Sequence, residues 1–227
     1  MFLYIVAALT LGLLPGFAWL IFYLSEDPHP EPKRLIALTF LVGIAFAFFT
    51  VALEQWWNRG ITFTGISEFS VVSLLGLGFI EETMKFAAAY FSVGRSPELD
   101  EPIDRMIYMV VAALGFATLE NIGALANLAT QPGFVDAALQ TGSLRFVGAT
   151  LLHTLASALI GYRWALAATD GHTVRHLASG ILLAGFLHAF FNYLILNYGN
   201  IAYTVIFLLV IGFFVLNDFE KLKAKPA

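Results

Sequence analysis

Long apolar runs follow one another along almost the whole chain, separated only by short polar breaks. About 20 apolar residues are what an α-helix needs to cross the hydrocarbon core of a bilayer. The runs predict membrane-spanning helices over residues 2–24, 34–54, 66–94, 103–127, 142–168, 174–196 and 200–217. We therefore expect an all-α protein, a polytopic transmembrane bundle of about seven helices in the cell membrane, surrounded by the lipid bilayer.

The composition leaves no room for a second globular domain. Of the 227 residues, 59% are hydrophobic and 12% are charged, whereas a soluble domain is about half apolar and a quarter charged. We expect one transmembrane domain over residues 1–217, with its functional core at about 66–196. A short basic cytoplasmic tail over residues 218–227 follows it.

Charge and cysteine content exclude several classes of function. The net charge is −4 at pH 7, so the chain lacks the basic surface that nucleic-acid binding requires. It contains no cysteine, which excludes disulfides, thiolate metal sites and cysteine nucleophiles. We expect no nucleic-acid partner.

The first apolar run has no Lys or Arg in front of it, unlike the basic start of a secretory signal. We expect this run to remain in the mature protein as the first spanning helix. Gly12 and Gly16 form a small-xxx-small pair within it, a pattern typical of helices that pack closely on a neighbour.

Lys and Arg residues set the predicted orientation, because cytoplasmic loops carry an excess of them. With the N-terminus outside, the inner loops and tail hold Lys33, Arg34, Arg95, Arg105, Arg163, Arg175, Lys221, Lys223 and Lys225. The outer side then holds only Arg59 and Arg145. Arg145 lies at a helix start, where we expect its side chain to extend to the membrane surface.

A small set of ionisable residues lies inside the predicted spans. An ionised group at the bilayer centre costs at least about 2.5–3.5 kcal/mol, so such groups face one another or a wet cavity. The set is Glu81, Glu82, Lys85, Glu120, His153 and His188, with Asn121 and Asn192 as buried amides. The sequence therefore predicts a polar interior.

Four of these residues come from different spans and fall at one depth: Glu81, Glu120, His153 and His188. Counted from the inner-edge arginine of each span, they lie roughly 15–22 Å above the inner face of a core about 30 Å thick. This depth is the middle to outer half of the bilayer. Because unrelated structural residues have no reason to agree in depth, we expect them to share a site.

Two imidazoles and two carboxylates are the components of a hydrolytic site. Neutral histidines and a carboxylate hold zinc with one position left for water, and a second carboxylate acts as general base. The soluble zinc-protease motif His-Glu-x-x-His is absent, so the site has to be assembled from separate helices. Lys85 shares a helix face with Glu81 and Glu82, and we expect Glu82 and Lys85 to form a structural ion pair.

The same residues resemble the PrsW family of membrane proteases. The matching segments run in order over about residues 76–195 and comprise Glu-Glu-Thr-Met-Lys at 81–85, residues 104–108, Gly-Phe-Ala-Thr-Leu-Glu-Asn at 115–121, Arg145, His153, Gly161 and His-Ala-Phe-Phe-Asn at 188–192. The resemblance implies an endopeptidase that cuts a membrane protein. For the family's name-giving activity the substrate is an anti-sigma factor, cut on its extracytoplasmic side.

The chain departs from the related type II CAAX prenyl endopeptidases. Their first two motifs are Glu-Glu-x-x-x-Arg and Phe-x-x-x-His. This chain has Glu-Glu-x-x-Lys, and Phe116 leads to Glu120 where a histidine would stand. These departures favour the PrsW branch over prenyl-protein processing, which remains an alternative.

The resulting hypothesis is a membrane-embedded endopeptidase with Glu81 as general base. Zinc would be bound by Glu120, His153 and His188. In a metal-free glutamate mechanism, argued for the CAAX relatives, these three residues would instead orient water and stabilise the oxyanion. Asn192 would donate a hydrogen bond to the tetrahedral intermediate, and Glu82 with Lys85 would support the site.

Two rival functions use the same residues. Glutamate and histidine at mid-membrane also form the relays of proton- or ion-coupled transporters, although this chain shows no convincing inverted repeat. A partner or scaffold protein without chemistry is the second rival. The presence of Glu81, His153 and His188 argues against it.

Overall fold

The computed structural model describes residues 2–128 and 132–224. Met1, residues 129–131 and residues 225–227, among them the predicted tail residue Lys225, lie outside the described residues. The described chain contains α-helices and no strand: α1 Phe2–Leu24, α2 Lys33–Phe63, α3 Val71–Val93, α4 Asp104–Ala126, α5 Phe134–Val147, α6 Ala149–Asp170, α7 Thr173–Tyr198 and α8 Ile201–Lys223. The predicted all-α class is confirmed.

Six helical stretches are long and apolar enough to cross a membrane by length and composition. They are Ile5–Leu24, Lys33–Phe63, Asp104–Ala126, Phe134–Asp170, Thr173–Tyr198 and Ile201–Lys223. Helix α3 differs because Glu81, Glu82 and Lys85 interrupt its apolar run. Its 23 residues nevertheless extend about 34 Å, so we count it as the seventh crossing of a multi-pass membrane protein.

Helices α2 and α8 extend further than the apolar runs predicted. α2 continues to Phe63, through the predicted outer loop at 55–65. There the indole N–H of Trp57 donates to the Ser73 carbonyl at 3.1 Å, which ties this extension to the start of α3. α8 continues to Lys223, so the described part of the predicted tail is helical.

The fifth predicted span is broken into two helices. α5 begins at Phe134, within the predicted loop at 128–141, and ends at Val147. Gly148 has φ −112° and ψ −93°, outside the helical region, and α6 starts directly after it. The polar residues of α5 hid this helix from an interpretation based on apolar runs.

Helix α4 is the centre of the bundle and contacts α1, α2 and α6 extensively. Close approach depends on glycines, because a Cβ at Gly12 or Gly16 of α1 would lie 2.6 Å from Ile122 or Thr118 of α4. The predicted role of this glycine pair in close packing is confirmed. A Cβ at Gly161 of α6 would meet the Met106 backbone of α4 at 2.6 Å.

Burial falls from the centre to the periphery of the bundle. In the most apolar window of α4, 67% of the residues are buried, against 28% for α8. Large apolar side chains such as Phe91 and Phe213 point outward, with exposed fractions of 76% and 70%. An apolar surface of this extent is what a lipid environment covers, and it leaves the polar residues of α3, α4, α6 and α7 inside.

Candidate active site

Glu81, His153 and His188 converge at the centre of the bundle from α3, α6 and α7. One carboxylate oxygen and one nitrogen of each imidazole all lie within 4.8 Å of one another. Glu81 Oε1 is 3.5 Å from His188 Nε2, and Glu81 Oε2 is 3.8 Å from His153 Nδ1. All three side chains are buried, so three spans far apart in sequence form one polar centre.

The two imidazoles are each held by a second carboxylate. His188 Nδ1 lies 2.9 Å from Glu82 Oε1, and His153 Nε2 lies 3.0 Å from Glu120 Oε2. A carboxylate on the far nitrogen fixes the orientation of an imidazole and raises its basicity as a metal ligand. Glu82 and Glu120 thus fix the orientation of both imidazoles.

Glu120 does not take the position predicted for it. The sequence hypothesis made Glu120 the carboxylate ligand and Glu81 the base, but the described ligand atoms that converge belong to Glu81, His153 and His188. Glu120 Oε2 instead accepts from Arg145 at 3.1 Å and faces His153. The depth along a helix was predicted from the sequence, but not the direction in which each carboxylate points.

Lys85 neutralises the buried carboxylates. Its ammonium lies 2.8 Å from Glu82 Oε1 and 3.2 Å from Glu81 Oε2, and it also contacts His153 Nδ1. The predicted Glu82–Lys85 ion pair is present and fully buried. Ser157 donates to the second oxygen of Glu82 at 3.1 Å, so Glu82 has partners on both oxygens.

Arg145 points into the protein and not to the membrane surface as expected. Its guanidinium donates to Glu120 and to the side-chain oxygen of Asn121. Asn121 in turn donates to Thr150 at 3.0 Å. The short helix α5 therefore brings a cation to the site, and Asn121 holds it there.

A cavity of about 860 Å³ opens onto this centre. Glu81, Glu120, His153, His188 and Asn192 all line it. The Asn192 amide is half-buried and has no hydrogen-bond partner among residues 2–128 and 132–224. The cavity is of the size that binding sites for small ligands and short segments have, and it leaves an uncommitted donor beside the histidines.

Glu54 of α2 also lines the cavity and was missed from the sequence. It shares this cavity with Glu81. The predicted span ended at residue 54, which made Glu54 an interface residue. The signal that could have found it is a polar stripe, because Thr50, Glu54 and Asn58 recur every four residues and all three line the cavity.

Comparison with known proteins identifies the family. Residues 31–217 match the model of the PrsW family intramembrane metalloproteases. The chain belongs to this family. The match covers most of the chain and includes every residue of the site described above, so the predicted resemblance is confirmed and the chain is a membrane protease.

Individual PrsW relatives support the same conclusion. The chain is similar to Protease PrsW of Bacillus subtilis (strain 168), with 28% identity over 220 residues that cover 96% of each chain. It is 30% identical to Protease PrsW of Geobacillus kaustophilus (strain HTA426), over 83% of this chain and 79% of the relative. No solved structure matches the chain. The transporter and prenyl-protein alternatives gain no support from these matches.

Proposed function

We propose that this PrsW protease hydrolyses a peptide bond of a membrane-protein substrate with a zinc ion held by Glu81, His153 and His188. The observation that carries the proposal is the convergence of their ligand atoms within 4.8 Å. Two imidazoles and one carboxylate are a ligand set of zinc hydrolases, which leave one position open. Imidazole and carboxylate together suit zinc well.

The surroundings of the three ligands also fit a metal. Glu82 and Glu120 engage one nitrogen of each imidazole, the arrangement that metal-binding histidines have in proteins. Lys85 and Arg145 balance the charge of these two supporting carboxylates. Zinc binding requires the Lys85 ammonium to move off His153 Nδ1 and Glu81 Oε2, which it contacts in this structure. The carboxylate of Glu81 then adds the anionic ligand that favours a divalent cation.

When bound, zinc would supply a Lewis acid that activates water and polarises the substrate carbonyl at neutral pH. Glu82 and Glu120 keep the two imidazoles in place during the reaction. Asn192 donates a hydrogen bond to the oxyanion of the tetrahedral intermediate, where one donor contributes about 3 kcal/mol. In the metal-free alternative, Glu81 takes the proton of water, and Glu120 with the histidines orients that water.

The proposed substrate is a membrane protein of the anti-sigma factor type, cut on its extracytoplasmic side. The family resemblance implies this substrate class. The shape of the cavity supports the side of the cut, because it extends to Asn58, Glu68 and Leu196. These residues lie toward the ends of the helices that the Lys and Arg pattern places outside.

Metal analysis of the purified full-length protein, paired with cleavage of a model single-span substrate in liposomes, tests the proposal. We expect about one zinc per chain, the stoichiometry of a single three-residue site. Chelation should abolish cleavage and added zinc should restore it. His188→Ala should lose the metal, whereas His172→Ala, at an exposed imidazole, should keep it. Cleavage that survives complete chelation would overturn the metal site in favour of the metal-free mechanism.

A further inference from the structure

A second cavity, of about 530 Å³, lies between α1 and α2 and shares no lining residue with the active-site cavity. Both helices pack more extensively on α4 than on each other, which leaves a cleft between them. Its apolar wall, here called the α1–α2 groove, comprises Leu13, Phe17, Leu20 and Leu24 of α1 and Ile36, Ala37, Phe40, Leu41 and Ile44 of α2.

The α1–α2 groove has the length of one bilayer leaflet. Leu13 and Leu24 are 11 residues apart, which corresponds to about 16 Å along a helix, and half of the hydrocarbon core measures about 15 Å. The groove is open to the lipid, because Phe17, Ala37 and Leu41 are exposed. A helix of the same length occupies more than about 1,200 Å³, over twice the volume of this cavity. The groove therefore fits a hydrocarbon chain and not a further helix.

Asp27 lies at the predicted cytoplasmic end of the cavity and has one oxygen without a partner. Its side chain lines the cavity, and its exposed fraction is 7%. Oδ1 accepts from the His29 backbone N–H at 3.0 Å, whereas Oδ2 is buried without a hydrogen-bond partner among residues 2–128 and 132–224. Because an unpaired buried acceptor costs free energy, this oxygen suits a donor that enters through the groove.

The charges at this end of the cavity indicate which headgroup fits. Glu31 adds a second carboxylate to the lining, and Lys33 adds an exposed ammonium. A headgroup with both an ammonium and a phosphate complements this pattern, since the ammonium faces the carboxylates and the phosphate faces Lys33. A charge-assisted hydrogen bond requires an N–H on the ligand, so a primary ammonium fits Asp27 and a quaternary one does not.

We propose that this cavity binds a phospholipid with a primary ammonium headgroup, of the phosphatidylethanolamine class. The ammonium donates to Asp27 Oδ2, the phosphate lies at Lys33, and one acyl chain follows the α1–α2 groove from Leu24 toward Leu13. When no such lipid is bound, a proton is the alternative partner of the Asp27 carboxylate. The lipid fills the gap between two helices that both support α4, away from the proposed zinc ligands.

Competition between lipids tests the proposal in the full-length protein in detergent micelles. Dioleoyl phosphatidylethanolamine, phosphatidylcholine and phosphatidylglycerol are offered in equal amounts, and the retained lipid is measured by mass spectrometry. A hydrogen bond to a charged group changes affinity about 10–100-fold, so we expect the ethanolamine lipid to be preferred over the choline lipid by such a factor. Asp27→Asn should abolish this preference. Asp100→Asn, the same change at an exposed carboxylate of the same end, should keep it.

Two variants of Ala37 test the apolar part of the site. Ala37→Phe fills the groove, so retention of the ethanolamine lipid should be lost. The chain has no cysteine, so Ala37→Cys accepts a single photo-crosslinker. In liposomes that contain the ethanolamine lipid, this crosslinker should label lipid.

The other outcomes overturn the proposal and leave the zinc protease in place. Equal retention of the ethanolamine and choline lipids, or a preference that survives Asp27→Asn, removes the ammonium contact. A preference for the glycerol lipid makes this an anion site at Lys33. Crosslinks from position 37 to a second copy of the chain or to the model substrate assign the groove to a protein partner. If Asp27→Asn does not fold, unchanged retention of the ethanolamine lipid by Ala37→Phe contradicts the proposal.

Discussion

The described chain holds two groups of carboxylates, one at the centre of the bundle and one toward its predicted cytoplasmic end, but only the central group pairs with Lys and Arg side chains. At the active site, Glu82 and Glu120 pair with Lys85 and Arg145. The other group, here called the inner acidic cluster, consists of Asp27, Glu31, Glu101 and Asp104, at the end predicted to be cytoplasmic.

In the inner acidic cluster the partners are neutral or solvent-exposed. Glu31 accepts from the Tyr108 hydroxyl, and Asp104 accepts from the Glu101 backbone N–H at 2.6 Å. The nearby Arg105 donates to backbone carbonyls and to no carboxylate of the described chain. Burial without a cation raises the pKa of Asp27 and of Glu31, whose side chains lie in the loop between α1 and α2.

The difference shows what makes a buried carboxylate available for chemistry. Paired carboxylates stay ionised and hold their partners in fixed positions, which suits the support of metal ligands. Carboxylates without a cation favour the protonated form and gain stability by sharing hydrogen bonds. The carboxylates of the active site are therefore stabilised by Lys85 and Arg145, whereas those of the inner acidic cluster are stabilised by protonation.

Replacement of one carboxylate by an amide should give the largest difference between the two groups, and this difference should appear in the cleavage rate. Glu81→Gln removes the anionic ligand next to both histidines, so cleavage should fall to the background rate and zinc should be lost. Asp104→Asn in the inner acidic cluster should leave the cleavage rate within about twofold, because substitutions distant from the active site act mainly on stability. Cleavage of the model substrate and zinc content measure both. An active Glu81→Gln protein would end the assignment of this site.

The second largest effect should follow from loss of a charge partner, and it should appear in the free energy of unfolding. Glu82→Gln leaves the buried ammonium of Lys85 without its closest carboxylate, which costs about 3–5 kcal/mol when one partner of a buried pair is removed. Glu31→Gln keeps an acceptor for Tyr108 and should cost at most about 1 kcal/mol. Reversible unfolding in mixed detergent measures both. Equal losses for the two variants would contradict the contrast between the groups.

The two arginines should differ in their effect on activity. Arg145→Ala frees Glu120, which orients His153, and loss of such a supporting contact lowers metal affinity or activity about 10–100-fold. Arg105→Ala removes only hydrogen bonds to backbone carbonyls and should leave zinc affinity unchanged. Zinc titration of the two metal-free proteins compares them. A normal affinity in Arg145→Ala would show that Glu120 holds His153 without the arginine.

The smallest expected effect concerns pH. The pKa of Asp27 is raised by burial, so the folded state binds the proton more tightly than the unfolded chain does. Stability is therefore highest at low pH and declines as pH rises through the folded pKa. Asp27→Asn should raise the melting temperature at pH 7, and the gain should vanish toward pH 4. An equal gain in melting temperature at both pH values would show that the charge of Asp27 is not its cause.

The sequence predicted the class of fold and the membership of the site better than its geometry. An ionisable residue inside an apolar span costs so much free energy that mutual contact was expected for Glu81, Glu120, His153 and His188. Their depth followed from counting residues along helices. Rotation about each helix axis did not follow, because the apolar residues on all sides of α3 and α4 give no clear face.

Other parts of the structure escaped prediction for a different reason. Glu54 fell at the edge of a predicted span, where an acid is unremarkable, and the extension of α2 depends on contacts of Trp57 and Asn58 with Ser73 of another helix. α5 contains several polar residues and lies outside the longest apolar run. In both cases the decisive contacts join segments that are separate in the sequence.

The break at Gly148 sets how far Arg145 lies from the proposed zinc ligands. In a continuous helix, eight residues would place Arg145 about 12 Å further out than His153, yet both side chains contact the same oxygen of Glu120. α5 and α6 are therefore two separate helices that meet at Gly148. This break lets consecutive stretches of the chain bring a guanidinium and an imidazole to one carboxylate oxygen.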